Sequence, residues 1–159
     1  MVPPGGIRGG RPRMRGDAAI RPKSRTPDAG KQRVLFVCMG NSCRSQMAEA
    51  FARAYGSDIL AVHSAGLVPS MVVAPLTRQV LAEKNIPTEG QFPKGLELVV
   101  RELFDVVVNM SGERLPIPAG RMIEWTVRDP IGQSEEVYRA VAAQIEGLVM
   151  RLILELRPG

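Results

Sequence analysis

A chain of 159 residues and 17.3 kDa, 45% hydrophobic and 23% charged with mean hydropathy −0.02, fits one globular domain with a sizeable core. No apolar run approaches the roughly 18–20 residues of a membrane span, and residues 1–33 lack the apolar stretch of a secretory signal, so an integral membrane or secreted protein is not expected. Two cysteines five residues apart cannot staple a fold, and a reducing cytoplasm is the expected setting.

The formal charge of +5 is unevenly spread. Residues 1–33 hold nine Lys/Arg against Asp17 and Asp28, a net +7, whereas the remainder carries twelve basic and fourteen acidic residues, a net −2. Six Gly and five Pro in the same stretch leave too little apolar surface to offset chain entropy, so residues 1–31 read as a disordered basic tail and 32–158 as the domain. Such an arm suits nucleic acid or an acidic membrane surface, or is an inert extension. With no aromatic residue to stack on bases, the inert reading is preferred.

From residue 34 onward the pattern is regular. Val34 to Val37 form a continuous apolar run, as in a strand buried on both faces of a parallel sheet. A loop over 38–44 leads to a helix over 45–55, with Met47, Phe51 and Tyr55 at helical spacing. A second strand spans 59–64 and ends by Gly66; a helix over 75–84 opens on Pro75, suited to a first turn. Residues 96–104 read as another helix through Leu96, Val99, Val100 and Leu103. A third strand spans 105–109, a weaker fourth 122–125, and a long helix 134–156 carries Val137, Val141, Ile145, Leu148 and Leu152, with Ser134 as its cap. The expected fold is therefore α/β, a doubly wound four-stranded parallel sheet with helices on both faces and ligands at the carboxyl ends of strands.

The loop after the first strand reads Cys38-Met39-Gly40-Asn41-Ser42-Cys43-Arg44-Ser45. A cysteine, five residues and an arginine between a buried strand and a helix start suit phosphoryl transfer through a cysteinyl intermediate. Backbone N–H groups of a tight loop cradle a tetrahedral oxyanion, and the helix N-terminus adds partial positive charge. Gly40 and Asn41 best tolerate the left-handed backbone such a nest requires. Arg44 grips two oxygens at once, as a lysine cannot. Cys38, facing those donors, should have its pKa drawn below about 8.5 and act as the thiolate. Expelling an alkoxide also needs an acid, and Asp129, in Asp129-Pro130 before the last helix, is the candidate.

The stretch VLFVCMGNSCRSQMAEAFA over 34–52 closely resembles the opening of the low-molecular-weight protein tyrosine phosphatase superfamily, which includes the thioredoxin-coupled arsenate reductases. Ser64-Ala65-Gly66 and Asp129-Pro130 match in the same order, so the resemblance leaves out only the tail. It implies a flavodoxin-like, phosphotyrosine protein phosphatase I fold. It also implies Cys38 as nucleophile and Arg44 as the oxyanion-binding, transition-state-stabilising residue. Backbone amides of Met39, Gly40, Asn41, Ser42, Cys43 and Arg44 would form the phosphate-binding cradle, with Ser45 bonding the thiolate. Asn41 would hold the loop through side-chain hydrogen bonds involving Ser64, and Asp129 would protonate the leaving group and then activate water. No metal or other cofactor is implied.

Two departures bear on the reaction. Phosphatases of this type commonly carry a proline after the loop Arg-Ser and an aromatic after Asp-Pro; here those residues are Gln46 and Ile131, as in the arsenate reductases. Those reductases also carry two further cysteines at and after the third strand, where Asn109-Met110-Ser111-Gly112-Glu113-Arg114 has none. The reading put first is a cysteine-dependent phosphomonoester hydrolase acting on a phosphorylated protein or small aryl phosphate. The alternative is an arsenate reductase of the same fold using an external thiol of glutaredoxin or thioredoxin type. A non-catalytic phosphate-sensing or nucleic-acid module comes last.

Among the remaining candidates, Cys43 either forms a reversible disulfide with Cys38 or supplies the small side chain of a tight junction. Asp129-Pro130 also suits a plain turn. His63, the only histidine, reads as structural, and Trp125 either lines the pocket mouth or packs in the core.

Overall fold

Strand β1 (Gln32–Cys38) forms the spine of the sheet in the computed structural model, which describes residues 28–159. Strand β2 (Leu60–Gly66) pairs with it on one side and β3 (Val106–Asn109) on the other, with β4 (Arg121–Glu124) beyond. All pairs are parallel, in the order β2-β1-β3-β4. A central strand with two covered faces must be apolar on both, and Val34 to Val37 are indeed wholly buried. Val34 and Phe36 enter the larger core, whereas Leu35 and Val37 enter a smaller one on the opposite face. Most of the expected basic tail, residues 1–27, lies outside the described residues, and 28–31 close a turn in which the Lys31 amide donates to the Asp28 carbonyl at 3.0 Å.

The larger core is roofed by helices α1 (Arg44–Gly56), α2 (Pro75–Glu83) and α3 (Glu135–Leu156). In α3, Tyr138, Val141, Ala142, Ile145, Val149, Leu152 and Ile153 form the buried stripe, with Val137 and Leu148 at its margin. Ser134 caps this helix, its hydroxyl oxygen accepting from the Val137 amide at 3.3 Å. Glu135 and Glu136 add favourable charge in the first turn.

On the smaller core the structure corrects the expected helix over 96–104. Only a 3-10 turn, Leu96–Leu98, forms there. Val99 and Phe104 turn into the core while Leu98, Val100 and Leu103 remain exposed. Hydrogen bonds to β1 take the segment out of helical geometry: Arg33 Nε donates to the Leu103 carbonyl at 3.1 Å, and the Asp105 amide to the Arg33 carbonyl at 2.9 Å. Among the described residues no helix is long and apolar enough to cross a membrane.

Because the chain steps from β1 out to β2 and then back across β1 to β3, the reversal point falls at the carboxyl end of β1, where Cys38 stands.

Candidate active site

Cys38 closes β1, and Arg44 opens α1. Between them the loop carbonyls all point outward. Leu67, Val68, Ser70 and Ala74 donate their amides to the carbonyls of Cys38, Met39, Gly40 and Ser42 at 2.8–3.2 Å. The Asn41 carbonyl accepts from the Gln46 side chain at 3.0 Å. By contrast, none of the amides of residues 39–44 donates to another described residue. A ring of carbonyls bonded outside and amides left free inside is a nest for an anion.

Asn41 is the pivot of this inversion. It has φ 51, is wholly buried, and every polar atom of its side chain is engaged. Its Nδ2 donates to Ser45 Oγ at 2.7 Å and to Ser64 Oγ at 2.9 Å, and its Oδ1 accepts from Gln46 Nε2 at 3.0 Å and the Lys94 amide at 2.9 Å. These bonds compensate a left-handed backbone that a non-glycine residue otherwise resists. Gly40 differs from expectation, for its φ is not positive. What it requires is room, since a Cβ there would lie 2.7 Å from Ser70 Oγ.

Cys38 is 2% exposed, its sulfur 2.9 Å from Ser45 Oγ and accepting from the Ser45 amide at 3.4 Å. Since Asn41 already donates to the Ser45 oxygen, the Ser45 hydroxyl proton is left for the sulfur. Arg44 is 7% exposed, anchored by Nη1 to the carbonyls of Met110 (2.6 Å) and Val127 (3.0 Å), residues that follow β3 and β4. Its Nη2 lies 3.6 Å from Asp129 Oδ2, and its Nε is buried with no partner among the described residues. Asp129 serves the Asp-Pro turn as well, its Oδ1 accepting from the Ile131 amide at 3.1 Å. These groups, with Met39, Gly40, Ser42, Cys43, Val68, Ser70 and Ile131, line one open pocket of about 240 Å³.

Cys43 lies at the N-cap of α1, buried, 3.5 Å from the Tyr138 hydroxyl. Burial pushes its thiol up, although hydrogen bonds from Thr77, Tyr138 and Ser42 pull the other way. The Ser42 side chain turns out of the nest, donating to the Val72 carbonyl at 3.1 Å and accepting from the Ala74 amide at 3.1 Å. Trp125 packs on Phe36 with ring centroids 5.9 Å apart and does not line the pocket. His63 packs edge-on to Phe104 and lies 3.6 Å from Glu102, away from Cys38.

Three supporting residues escaped the sequence reading as site residues. Gln46 is wholly buried and donates to Asn41 and to the Phe92 carbonyl at 2.9 Å; its only signal was that it stands where the phosphatases carry proline. Glu49 accepts the Ser64 hydroxyl, a buried carboxylate marked only by its place four residues after Ser45 on one helix face. Lys94, in an irregular loop, gave no signal.

Gly66 ends β2 directly against this loop: a Cβ there would meet Asn41 N at 2.8 Å and Gly40 C at 2.9 Å, both backbone atoms that cannot yield cheaply. Gly66→Ala is expected to strain the nest by about 1–3 kcal/mol and weaken inorganic phosphate binding about tenfold or more, read by competition against substrate.

A parallel sheet that presents a cysteine, a ring of inward amides and an arginine at the end of its first strand has the arrangement of an oxyanion-binding site. The model of the family described as low molecular weight phosphotyrosine protein phosphatase matches residues 33–119, and the chain belongs to that family. A glutaredoxin arsenate reductase of Synechocystis is 37% identical over 130 residues, 79% of this chain and 98% of that one. The structure of an arsenate reductase in a phosphate-binding state superposes with TM-score 0.72 at 37% identity, over 79% of this chain and 99% of that chain. A low molecular weight protein tyrosine phosphatase of T. tengcongensis superposes with TM-score 0.69 at 29% identity, over 79% and 100%. The relatives thus span both reactions, and they back arsenate reduction better than the phosphomonoester hydrolysis put first from the sequence.

Proposed function

We propose that the chain is an arsenate reductase in which Cys38 is the nucleophile and an external thiol is the reductant. The carrying observation is the pocket lining: it offers a nest, a thiol and an arginine for a tetrahedral oxyanion but no ring against which a phenol could stack, and Ile131 stands where an aromatic would serve that purpose. The named arsenate reductases among the relatives support the same reading.

In the proposed reaction Arg44 and the amides of residues 39–44 hold arsenate while the Cys38 thiolate attacks arsenic. A sulfur–arsenic bond forms and one oxygen leaves as water, Asp129 supplying the proton. A second thiolate then attacks the Cys38 sulfur. The sulfur–arsenic pair of electrons stays with arsenic, which departs as arsenite, and the two sulfurs are joined as a disulfide. A further thiol regenerates Cys38. The segment after β3 cannot supply the second thiol: residues 109–113 form a turn closed on Asn109, whose Oδ1 accepts from the Ser111 amide at 2.9 Å and whose Nδ2 donates to the Glu113 carbonyl at 2.7 Å, without a cysteine. A glutaredoxin- or thioredoxin-type partner in the cytoplasm, or a small thiol, therefore completes the cycle.

The test supplies arsenate with glutathione and glutaredoxin to the full chain and follows arsenite, beside hydrolysis of p-nitrophenyl phosphate near pH 6. Thiol-dependent arsenite formation near 1 s⁻¹, with aryl phosphate turnover orders of magnitude below, is expected. The reverse ranking would return the chain to the phosphatases.

A further inference from the structure

Next to the nest, a cluster of charge gathers around the buried Glu49. Glu49 is 3% exposed on the inner face of α1. Its Oε2 meets Arg53 Nη2 at 2.8 Å, and its Oε1 takes the hydroxyl proton of Ser64. The Lys94 side chain is only 13% exposed, and its ammonium sits 3.9 Å from Glu49 Oε1, 3.5 Å from Ser64 Oγ and 3.2 Å from the Phe92 carbonyl, over the Phe92 ring at 4.8 Å from its centroid. The main chain of Lys94 is tied to the same place: its amide donates to Asn41 Oδ1, and its carbonyl accepts from the Gly66 amide at 2.8 Å. A lysine is rarely taken this far from water, and burial accordingly lowers its pKa while Glu49 opposes the shift.

We propose that Lys94 is a positioning residue for the oxyanion loop, its ammonium fixing the Glu49–Ser64–Asn41–Ser45 chain of hydrogen bonds that ends on Cys38. Ser64 has one proton to give and gives it to Glu49. A cation on its oxygen side and a carboxylate on its hydrogen side leave that hydroxyl one orientation, with a lone pair turned to Asn41 Nδ2. Asn41 is thereby held in its left-handed conformation, and its second amide hydrogen goes to Ser45, whose proton remains for the sulfur. Without the ammonium, Glu49 keeps only Arg53 as a cationic partner and competes for the hydrogens of Asn41. The nest then loses the anchor of its inverted residue. The remainder of the loop is unaffected in sequence, so the defect is one of geometry and not of lost contact with the anion.

The inference concerns the oxyanion loop whichever reaction follows, and its test reads binding of inorganic phosphate by calorimetry rather than turnover. Lys94→Met is expected to weaken phosphate about tenfold with the melting temperature nearly kept. Glu49→Gln in the same chain removes the charge that the ammonium balances, and the double variant is expected to regain phosphate affinity to within about threefold of wild type. If Lys94→Met does not fold, Lys94→Gln, which keeps a donor toward Ser64, carries the same comparison. Phosphate affinity within twofold of wild type in the single variant, or a double variant as weak as the sum of the two losses, overturns the inference alone. A wild-type chain that binds no phosphate overturns the oxyanion reading as well.

Discussion

Replacing Cys38 with serine is expected to lower thiol-dependent arsenate reduction by about 10⁴-fold or more, because a hydroxyl at neutral pH is a far poorer nucleophile than a thiolate and forms no disulfide. The Ser45 hydroxyl and amide would still point at the substituted oxygen, and the nest and Arg44 would be intact, so phosphate binding should survive the change. Separation of the two effects is the informative part: turnover lost with binding kept assigns Cys38 to the chemistry and not to the shape of the loop. Cys43→Ser is the paired control. Cys43 is buried, its thiol is held protonated by burial, and a serine hydroxyl in its place would find Tyr138, Thr77 and Ser42 as partners. Its activity should stay within about threefold of wild type. Abolition of turnover in Cys43→Ser, with the adduct trapped on Cys38, would make Cys43 the resolving thiol and confine the external thiol to regenerating the pair.

How much of this was legible in the sequence depends on whether a residue's task is local. Strand β1 announced itself because a strand covered on both faces must be apolar at every position, and Val34 to Val37 are. The loop announced itself because a thiol and an arginine with five residues between them, set between strand and helix, have few other uses. Ser134 and the stripe of α3 were readable because capping and helical periodicity are short-range rules. The segment over 96–104 was not, for its apolar spacing fits a helix equally well. What decides against one is the claim that Arg33, more than sixty residues earlier, lays on the Leu103 carbonyl. Leu98, Val100 and Leu103 are left exposed as a result. Likewise Lys94 has no periodic or motif signal. Its place beside Ser64 arises only because the end of β2 binds the loop that carries it.

The same contrast between local signal and tertiary contact holds for the two glycines of the site, Gly40 and Gly66. A glycine in a tight loop invites the reading of a left-handed backbone, yet Asn41 takes that conformation and both glycines serve close approach instead. The nest holds its amides inward because Asn41, Gln46 and the 67–74 segment bond to its outer side.

Arg44→Lys is expected to lower kcat/KM for arsenate by about 10³-fold, or about 4 kcal/mol of transition-state stabilisation, despite conserving the charge. The guanidinium performs two tasks at once. One nitrogen, Nη1, is spent on the Met110 and Val127 carbonyls and locks the plane of the group, and this leaves Nε buried with no partner among the described residues and Nη2 beside Asp129. A buried donor left unpaired costs about 1–3 kcal/mol, so Nε is placed to donate to an oxyanion held in the loop. Lysine presents three donors from a single point. It reaches either the two carbonyls or the anion, and in both cases the planar, two-point grip on developing charge is gone. The loss should therefore fall on kcat as well as KM, with phosphate affinity reduced and the fold retained. A variant within tenfold of wild type in kcat/KM would show that Arg44 only braces the strand ends, and that the loop amides carry the oxyanion by themselves.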